Sequence, residues 1–259
     1  MTRKDIEAKV NERIKVGTAF SKNELMKKYL KIYSKQLNTL EDNVITYAKK
    51  FDTEIYNSSS KLYKIFKYIK TGKRFLDNDV LWLIEKEFME SKNKLSIEYN
   101  LREASFYIKE YEQKKDLWLI VNASSHFRKS NNSNKSIEII EKINFNEIKD
   151  KCLKSALIIT QGGAYRDLKE FDKALKNAKK GYDWNPKDYH PCTLFGALYY
   201  EKHEYSLGDK WYSKAKENGA KSDIIEKEIY SIYKKKTGKE KEKLKEHLEK
   251  SDSYYAWLL

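Results

Sequence analysis

The sequence predicts an all-α fold. Three observations carry that expectation. Only 2 of the 259 residues are proline, Pro186 and Pro191, so a long stretch of chain runs without a helix breaker. Glycine numbers 9, too few for the many tight turns of a sandwich or barrel. Apolar side chains recur at helical spacing, and no segment alternates with period two. Hydrophobic residues make up 40% and aromatic rings 14%, enough to build a packed core, which a disordered chain of this charge would lack.

The elements follow in chain order. Ser21 and Glu24 have the spacing of a capping box, with a helical period behind them through Leu25, Leu30, Ile32, Tyr33 and Leu37. Thr39 is placed to cap a helix running towards Tyr56, and Asn57 to Ser60 reads as a loop. The next helix spans about Lys61 to Lys70 and stops at Thr71 and Gly72. Asp79 is expected to cap a helix to about Ser91, and another runs from Lys94 to about Lys114. Helices then pair across short polar turns: Asp116 to Lys129 with Ser133 to Ile143, and Ile224 to Lys235 with Lys239 to Lys250. The apolar tail Tyr254-Tyr-Ala-Trp-Leu-Leu259 is expected to cover the last pair, and it also offers a surface for self-association.

Between those pairs lies an internal repeat. Gly162, Tyr165, Asp167, Phe171, Gly181 and Pro186 stand 34 residues before Gly196, Tyr199, Glu201, Tyr205, Ala215 and Ala220, without a gap. Small residues at such positions let two helices approach, and the rings fill the space beside them. Residues 155–188 and 189–222 resemble two tetratricopeptide (TPR) units, clearly over 155–222 and more loosely over 116–250. Two departures stand out: Gly208 replaces the small alanine matching Ala174, and no proline ends the second unit. The chain is thus expected to divide into a helical domain over 1–115, where the repeat motif is absent, and a helical repeat domain over 116–259. The resemblance also implies a concave groove lined by the first helix of each unit. Carried over residue by residue, groove positions fall on Gly163, Arg166 and Asp167, on His190, Thr193, Tyr200 and Glu201, and upstream on Ser125, Arg128 and Lys129. Arg128 and Arg166 each follow an aromatic, and such an arginine pair suits a carboxylate or an acidic peptide.

Net charge is +14, from 53 basic and 39 acidic side chains, and 47 of the basic ones are lysine. Lysine dominance together with abundant Ile, Asn and Tyr fits AT-rich coding, so part of the charge is compositional background. Its distribution is uneven: residues 1–74 carry 18 basic and 8 acidic side chains, a net of +10. Within that region Lys61, Lys64, Lys67 and Lys70 lie opposite an apolar stripe of Leu62, Ile65, Phe66 and Ile69. Tyr63 and Tyr68 interleave with them, and Lys73 and Arg74 follow. Lysines among exposed rings can neutralise phosphates and stack bases, so DNA or RNA is the alternative partner class.

Catalytic motifs are missing. Thr71-Gly-Lys-Arg74 lacks the leading glycine and the hydroxyl of a triphosphate loop. His126, His190, His203 and His247 are scattered, no Cys-x-x-Cys occurs, and His190 with Cys192 is the one close pair, so neither metal nor cofactor is expected. Asp77/Asp79 and Glu85/Glu87 could serve a metal-dependent nuclease, but helix capping and a solvated face account for them more simply. The longest apolar runs, Val80 to Ile84 and Leu117 to Val121, are too short for a membrane span or a leader. Cys152 and Cys192 form no disulfide framework, which suits a reducing cytoplasm. The sequence therefore points to a non-catalytic adaptor or regulatory subunit that binds another protein in a repeat groove. The alternative is an accessory protein that grips nucleic acid through its basic N-terminal helices.

Overall fold

A computed structural model describes residues 3–18, 20–29, 42–51, 60–90, 93–250, 255 and 257. Every regular element among them is a helix, and no strand occurs. The protein is all-α, as the low proline and glycine content predicts. The helices are α1 (Arg3–Lys15), α2 (22–29), α3 (Asp42–Lys49), α4 (Lys61–Thr71), α5 (Asp77–Glu85), α6 (Lys94–Lys114) and α7 (Leu117–Lys129). They continue as α8 (Ser133–Glu141), α9 (Lys151–Asp167), α10 (Phe171–Trp184), α11 (Tyr189–Glu201), α12 (Tyr205–Glu217), α13 (Ser222–Lys235) and α14 (Gly238–Glu249). None of them is long and apolar enough to cross a membrane.

The chain divides into two compact units, Met1–Tyr99 and Asn100–Leu259. The division falls inside α6. One continuous helix serves two cores: Leu95 packs with Ile65, Phe66 and Leu83, whereas Ala104 packs with Ile120, Phe127 and Ile140.

In the first unit the local signals act as the residues dictate. Ser21 and Glu24 close the capping box: Ser21 N–H donates to Glu24 Oε2 at 2.8 Å, and Glu24 N–H donates to Ser21 Oγ at 3.3 Å. Those hydrogen bonds to Ser21 hold the Glu24 carboxyl below its ordinary pKa. Ser60 caps α4 by accepting from Tyr63 N–H at 3.1 Å. Gly72, at φ 68°, ends it in the left-handed conformation that glycine adopts at no steric cost. The expected stripe turns inward, with Ile65, Phe66 and Ile69 fully buried. Two expectations need correcting. Leu76, not Asp79, occupies the N-cap of α5. The helix stops at Glu85 rather than near Ser91, because Glu87 turns left-handed at φ 61° and Phe88 N–H closes back onto Leu83 C=O at 2.9 Å. The Thr39 cap, the helix ends near 38 and 56, the Asn57 to Ser59 loop and Tyr254 lie outside the described residues.

In the second unit the helices pack in sequence. α7 contacts α8 and α9, α9 contacts α10 and α11, α11 contacts α12 and α13, and α13 contacts α14. Asp116, Asp150 and Asp188 each cap a first helix by accepting backbone N–H groups. Asn131, Lys169 and His203 end those helices at φ 60–64°, each in the left-handed conformation, so the chain reverses the same way three times. The repeat glycines sit where the close approaches are. A Cβ on Gly162 would lie 2.9 Å from Leu194 Cδ2, and one on Gly196 would lie 2.7 Å from the Tyr212 ring. Trp257 from the tail packs on Tyr230 and Tyr233 of α13, with ring centroids 5.0 and 5.2 Å apart. The tail therefore covers part of the last pair, as its rings suggest.

Candidate functional site

The first helices α7, α9, α11 and α13 converge on a cleft of about 480 Å³. Its walls carry Arg128 from α7, Arg166 and Asp167 from α9, Glu201 from α11, and Glu228, Ile232 and Lys235 from α13. The turns after these helices add Lys169, His203 and Lys236, with Phe171 and Glu240 from α10 and α14.

Two arginines organise the walls. Arg128 Nε donates to Asp167 Oδ2 at 2.8 Å, and Ser133 Oγ donates to the same oxygen at 3.1 Å. Arg166 Nη2 pairs with Glu201 Oε1 at 2.6 Å and Glu228 Oε1 at 2.7 Å. Its side chain is only 11% exposed. Burial opposes that charge, but the two carboxylates outweigh the burial and hold the guanidinium's pKa above its ordinary value. Each arginine thus reaches from one first helix to the next, and the ion pairs form a ladder along the cleft. The groove arginines are engaged within the chain, so neither presents a bare guanidinium to a ligand.

The other groove positions divide. Asp167 and Glu201 line the cleft. Gly163 faces the Arg128 guanidinium, which occupies the space a Cβ would need. Ser125 is half-buried and Lys129 exposed on α7, outside the cleft lining. His190 is exposed at the start of α11, with Nδ1 2.7 Å from Asp188 Oδ1, and Thr193 Oγ1 donates to His190 C=O. Tyr200 is a correction: it is fully buried, and its hydroxyl donates to Asp209 Oδ1 at 2.6 Å. Gly208 explains why, because its missing side chain leaves room for the Tyr200 ring to turn into the core.

Sequence reasoning missed Lys169, Phe171, His203, Glu228, Ile232, Lys235, Lys236 and Glu240. A signal for one of them was present: Lys235 stands 34 residues after Glu201, in the register that joins Asp167 to Glu201.

The basic helix α4 is also partly spoken for. Asp79, only 2% exposed, lies 3.6 Å from both Lys61 Nζ and Lys64 Nζ. Lys61 further donates to Asn78 C=O at 3.0 Å and sits over the Trp82 ring. Lys64 sits over the Tyr68 ring. Tyr63 and Tyr68 are half-buried, while Lys67, Lys70, Lys73 and Arg74 are exposed. The buried carboxylate thus faces lysines rather than a second acid, and among the described residues no three His, Cys, Asp or Glu side chains gather as a metal site would require.

The chain matches no protein-family model and no curated protein sequence.

Proposed function

We propose that residues 100–259 form a TPR-type repeat module that binds a segment of another protein, and that the chain acts as a non-catalytic adaptor or regulatory subunit. The observation that carries this reading is the single cleft to which four successive first helices contribute. A surface assembled from consecutive repeats suits an extended partner, because each repeat adds side chains along the same line. We place the protein in the cytoplasm on the strength of its two free thiols.

The arginines are poor mutational probes, since both are engaged in ion pairs within the chain. Lys169 and Lys235 are exposed on the cleft rim and serve better. Capture of partners from a cell extract, quantified by mass spectrometry, should lose specific proteins when Lys169→Glu and Lys235→Glu are combined. Circular dichroism should stay unchanged. A partner set indifferent to both changes would sink the reading.

A second reading rests on α4. Lys67, Lys70 and Lys73 remain exposed beside Tyr63 and Tyr68, a pattern suited to a phosphate backbone. Fluorescence anisotropy with labelled DNA and RNA at ~50 and ~200 mM salt tests it, because several phosphate contacts cost about 10³-fold across that range. A flat response removes nucleic acid as a partner.

A further inference from the structure

The end of α1 and the turn that follows it carry apolar side chains that none of the described cores takes up. Ile14, Val16 and Phe20 are 39%, 76% and 48% exposed, and they fall within seven consecutive residues. The interior of α1 and α2 lies elsewhere: Val10 and Leu25 are buried together, with Met26 and Tyr29 packed against them. Local bonds shape the turn. Val16 N–H donates to Glu12 C=O and Gly17 N–H to Ile14 C=O, both at 3.1 Å, and Phe20 N–H donates to Thr18 Oγ1 at 3.2 Å. Singly scattered apolar residues are ordinary on a protein surface, but a cluster rimmed by charge marks a contact surface. Here the rim is cationic. Residues 9–28 carry Lys9, Arg13, Lys15, Lys22, Lys27 and Lys28 against only Glu12 and Glu24. All six cations are exposed, and none of them forms an ion pair among the described residues. Lys28 Nζ lies 4.7 Å from the Phe20 ring centroid, and Glu24 is turned onto Ser21.

We propose that this turn is a peripheral membrane-contact surface: Ile14, Val16 and Phe20 enter the headgroup boundary of an anionic bilayer, while Arg13, Lys15, Lys22 and Lys28 meet its headgroups. A bilayer supplies both halves of that chemistry in layers, negative charge at the surface and hydrocarbon beneath it. A nucleic acid supplies the charge alone, since Ile14 and Val16 have no ring to stack on a base. Three side chains also fall well short of the roughly 800 Å² per partner of a specific protein interface, whereas a bilayer adds the attraction of every nearby cation. α5 gives the contrast. It exposes Leu81 and Ile84 at 63% and 56%, but the exposed charges around them are Asp77, Glu85 and Glu87 with only Lys86 opposing, which an anionic surface repels. The contact concerns the first unit alone and is independent of the reading of residues 100–259 as a repeat module.

The test sediments the full chain with vesicles of phosphatidylcholine, with and without about one-third phosphatidylserine, at ~100 mM salt. The anionic vesicles should bind about tenfold more tightly than the neutral ones, or better. Val16→Asp with Phe20→Ser should weaken that binding by about tenfold or more, with circular dichroism unchanged. Lys15→Glu with Lys22→Glu should do the same, and this pair decides alone if the apolar pair misfolds. Two matched controls should each change binding by less than about threefold: Leu81→Ser with Ile84→Ser, and Lys176→Glu with Lys180→Glu on the exposed face of α10. Failure to bind the anionic vesicles, equal binding to both compositions, or wild-type binding by a folded turn variant overturns the proposal. So does a control that weakens binding as much as the turn variants, because general charge or apolarity would then suffice. If vesicles are ignored while the turn variants lose labelled DNA and RNA, or proteins captured from extract, the turn belongs to that partner class and the membrane assignment falls.

Discussion

Arg128 of α7 lies across Gly163 of α9: its guanidinium fills the space where a Cβ would project, and its Nε reaches Asp167 Oδ2 at 2.8 Å. The glycine thus provides the seat on which the first rung of the ion-pair ladder rests. Gly208 plays a harder version of the same part, since a Cβ there would meet the buried Tyr200 ring and come within 3.1 Å of Gly196 C=O.

The two glycines should respond differently to alanine. At Gly163 the obstacle is the far end of a flexible side chain, whose ion pair is 28% and 37% exposed and so contributes at most about 1 kcal/mol. Alanine also gains about 1 kcal/mol of helix propensity there. Gly163→Ala should leave stability within about 1 kcal/mol of wild type. At Gly208 the obstacle is a ring fixed by its bond to Asp209, with backbone behind it. Gly208→Ala should cost about 2–3 kcal/mol through overpacking. Urea unfolding of both variants checks the contrast, and equal costs would refute the assignment.

Arg166 offers a sharper test of the ladder. It faces two carboxylates from a nearly buried position. Arg166→Ala removes the guanidinium that Glu201 and Glu228 share and should cost about 3–5 kcal/mol. Adding Glu201→Gln and Glu228→Gln should recover more than half of that loss, because the stranded charges are removed. A triple variant no more stable than the single one would mean that packing of the arginine stem, rather than charge pairing, sets the cost.

The helices and their pairing were legible because they rest on local chemistry. Ser21 with Glu24, Ser60, Gly72 and the 34-residue register each act within a turn or a repeat. The cleft was legible only in part. Arg128, Arg166, Asp167 and Glu201 came from repeat register, but Lys236 and Glu240 belong to the loosest pair, where small and aromatic signatures fade. Tyr200 went wrong for a related reason. It shares Arg166's repeat position, yet Gly208 opens a pocket that draws the ring inward, and no single-position rule reports a vacancy on the next helix. The α6 division escaped composition because a helix can change cores without changing residue type.

The two thiols should separate cleanly by reagent access. Cys152 is exposed at the start of α9, where Asn185 Nδ2 donates weakly to its sulfur at 3.5 Å. Cys192 is buried in the core of α11 and α12, and burial pushes its thiol up to about 11. Only thiolate reacts, so Cys192 is protected twice. Iodoacetamide at neutral pH should label Cys152 alone in the folded chain and both residues in denaturant. Comparable labelling of both in the native protein would contradict the packing of α11.

The alkaline limb of stability should report the second unit's tyrosines. Burial, as the largest cause, raises the pKa of Tyr200 and of Tyr212 above the ordinary tyrosine value. Asp209 adds to the first, and Glu228 to the second. Both groups fold neutral, so their contribution is fully present below the unfolded pKa of about 10 and is lost as pH rises beyond it. The buried Cys192 thiol adds a loss of the same sign as pH climbs towards about 11. Unfolding should therefore become easier above about pH 10, with tyrosinate absorbance and loss of helical circular dichroism rising together. Tyr212→Phe removes one titrating hydroxyl that has no hydrogen-bond partner among the described residues. It should shift that transition to higher pH without lowering stability at neutral pH. If tyrosinate absorbance instead reaches its full amplitude while the helices persist, Tyr200 and Tyr212 are not in the core that the structure gives them.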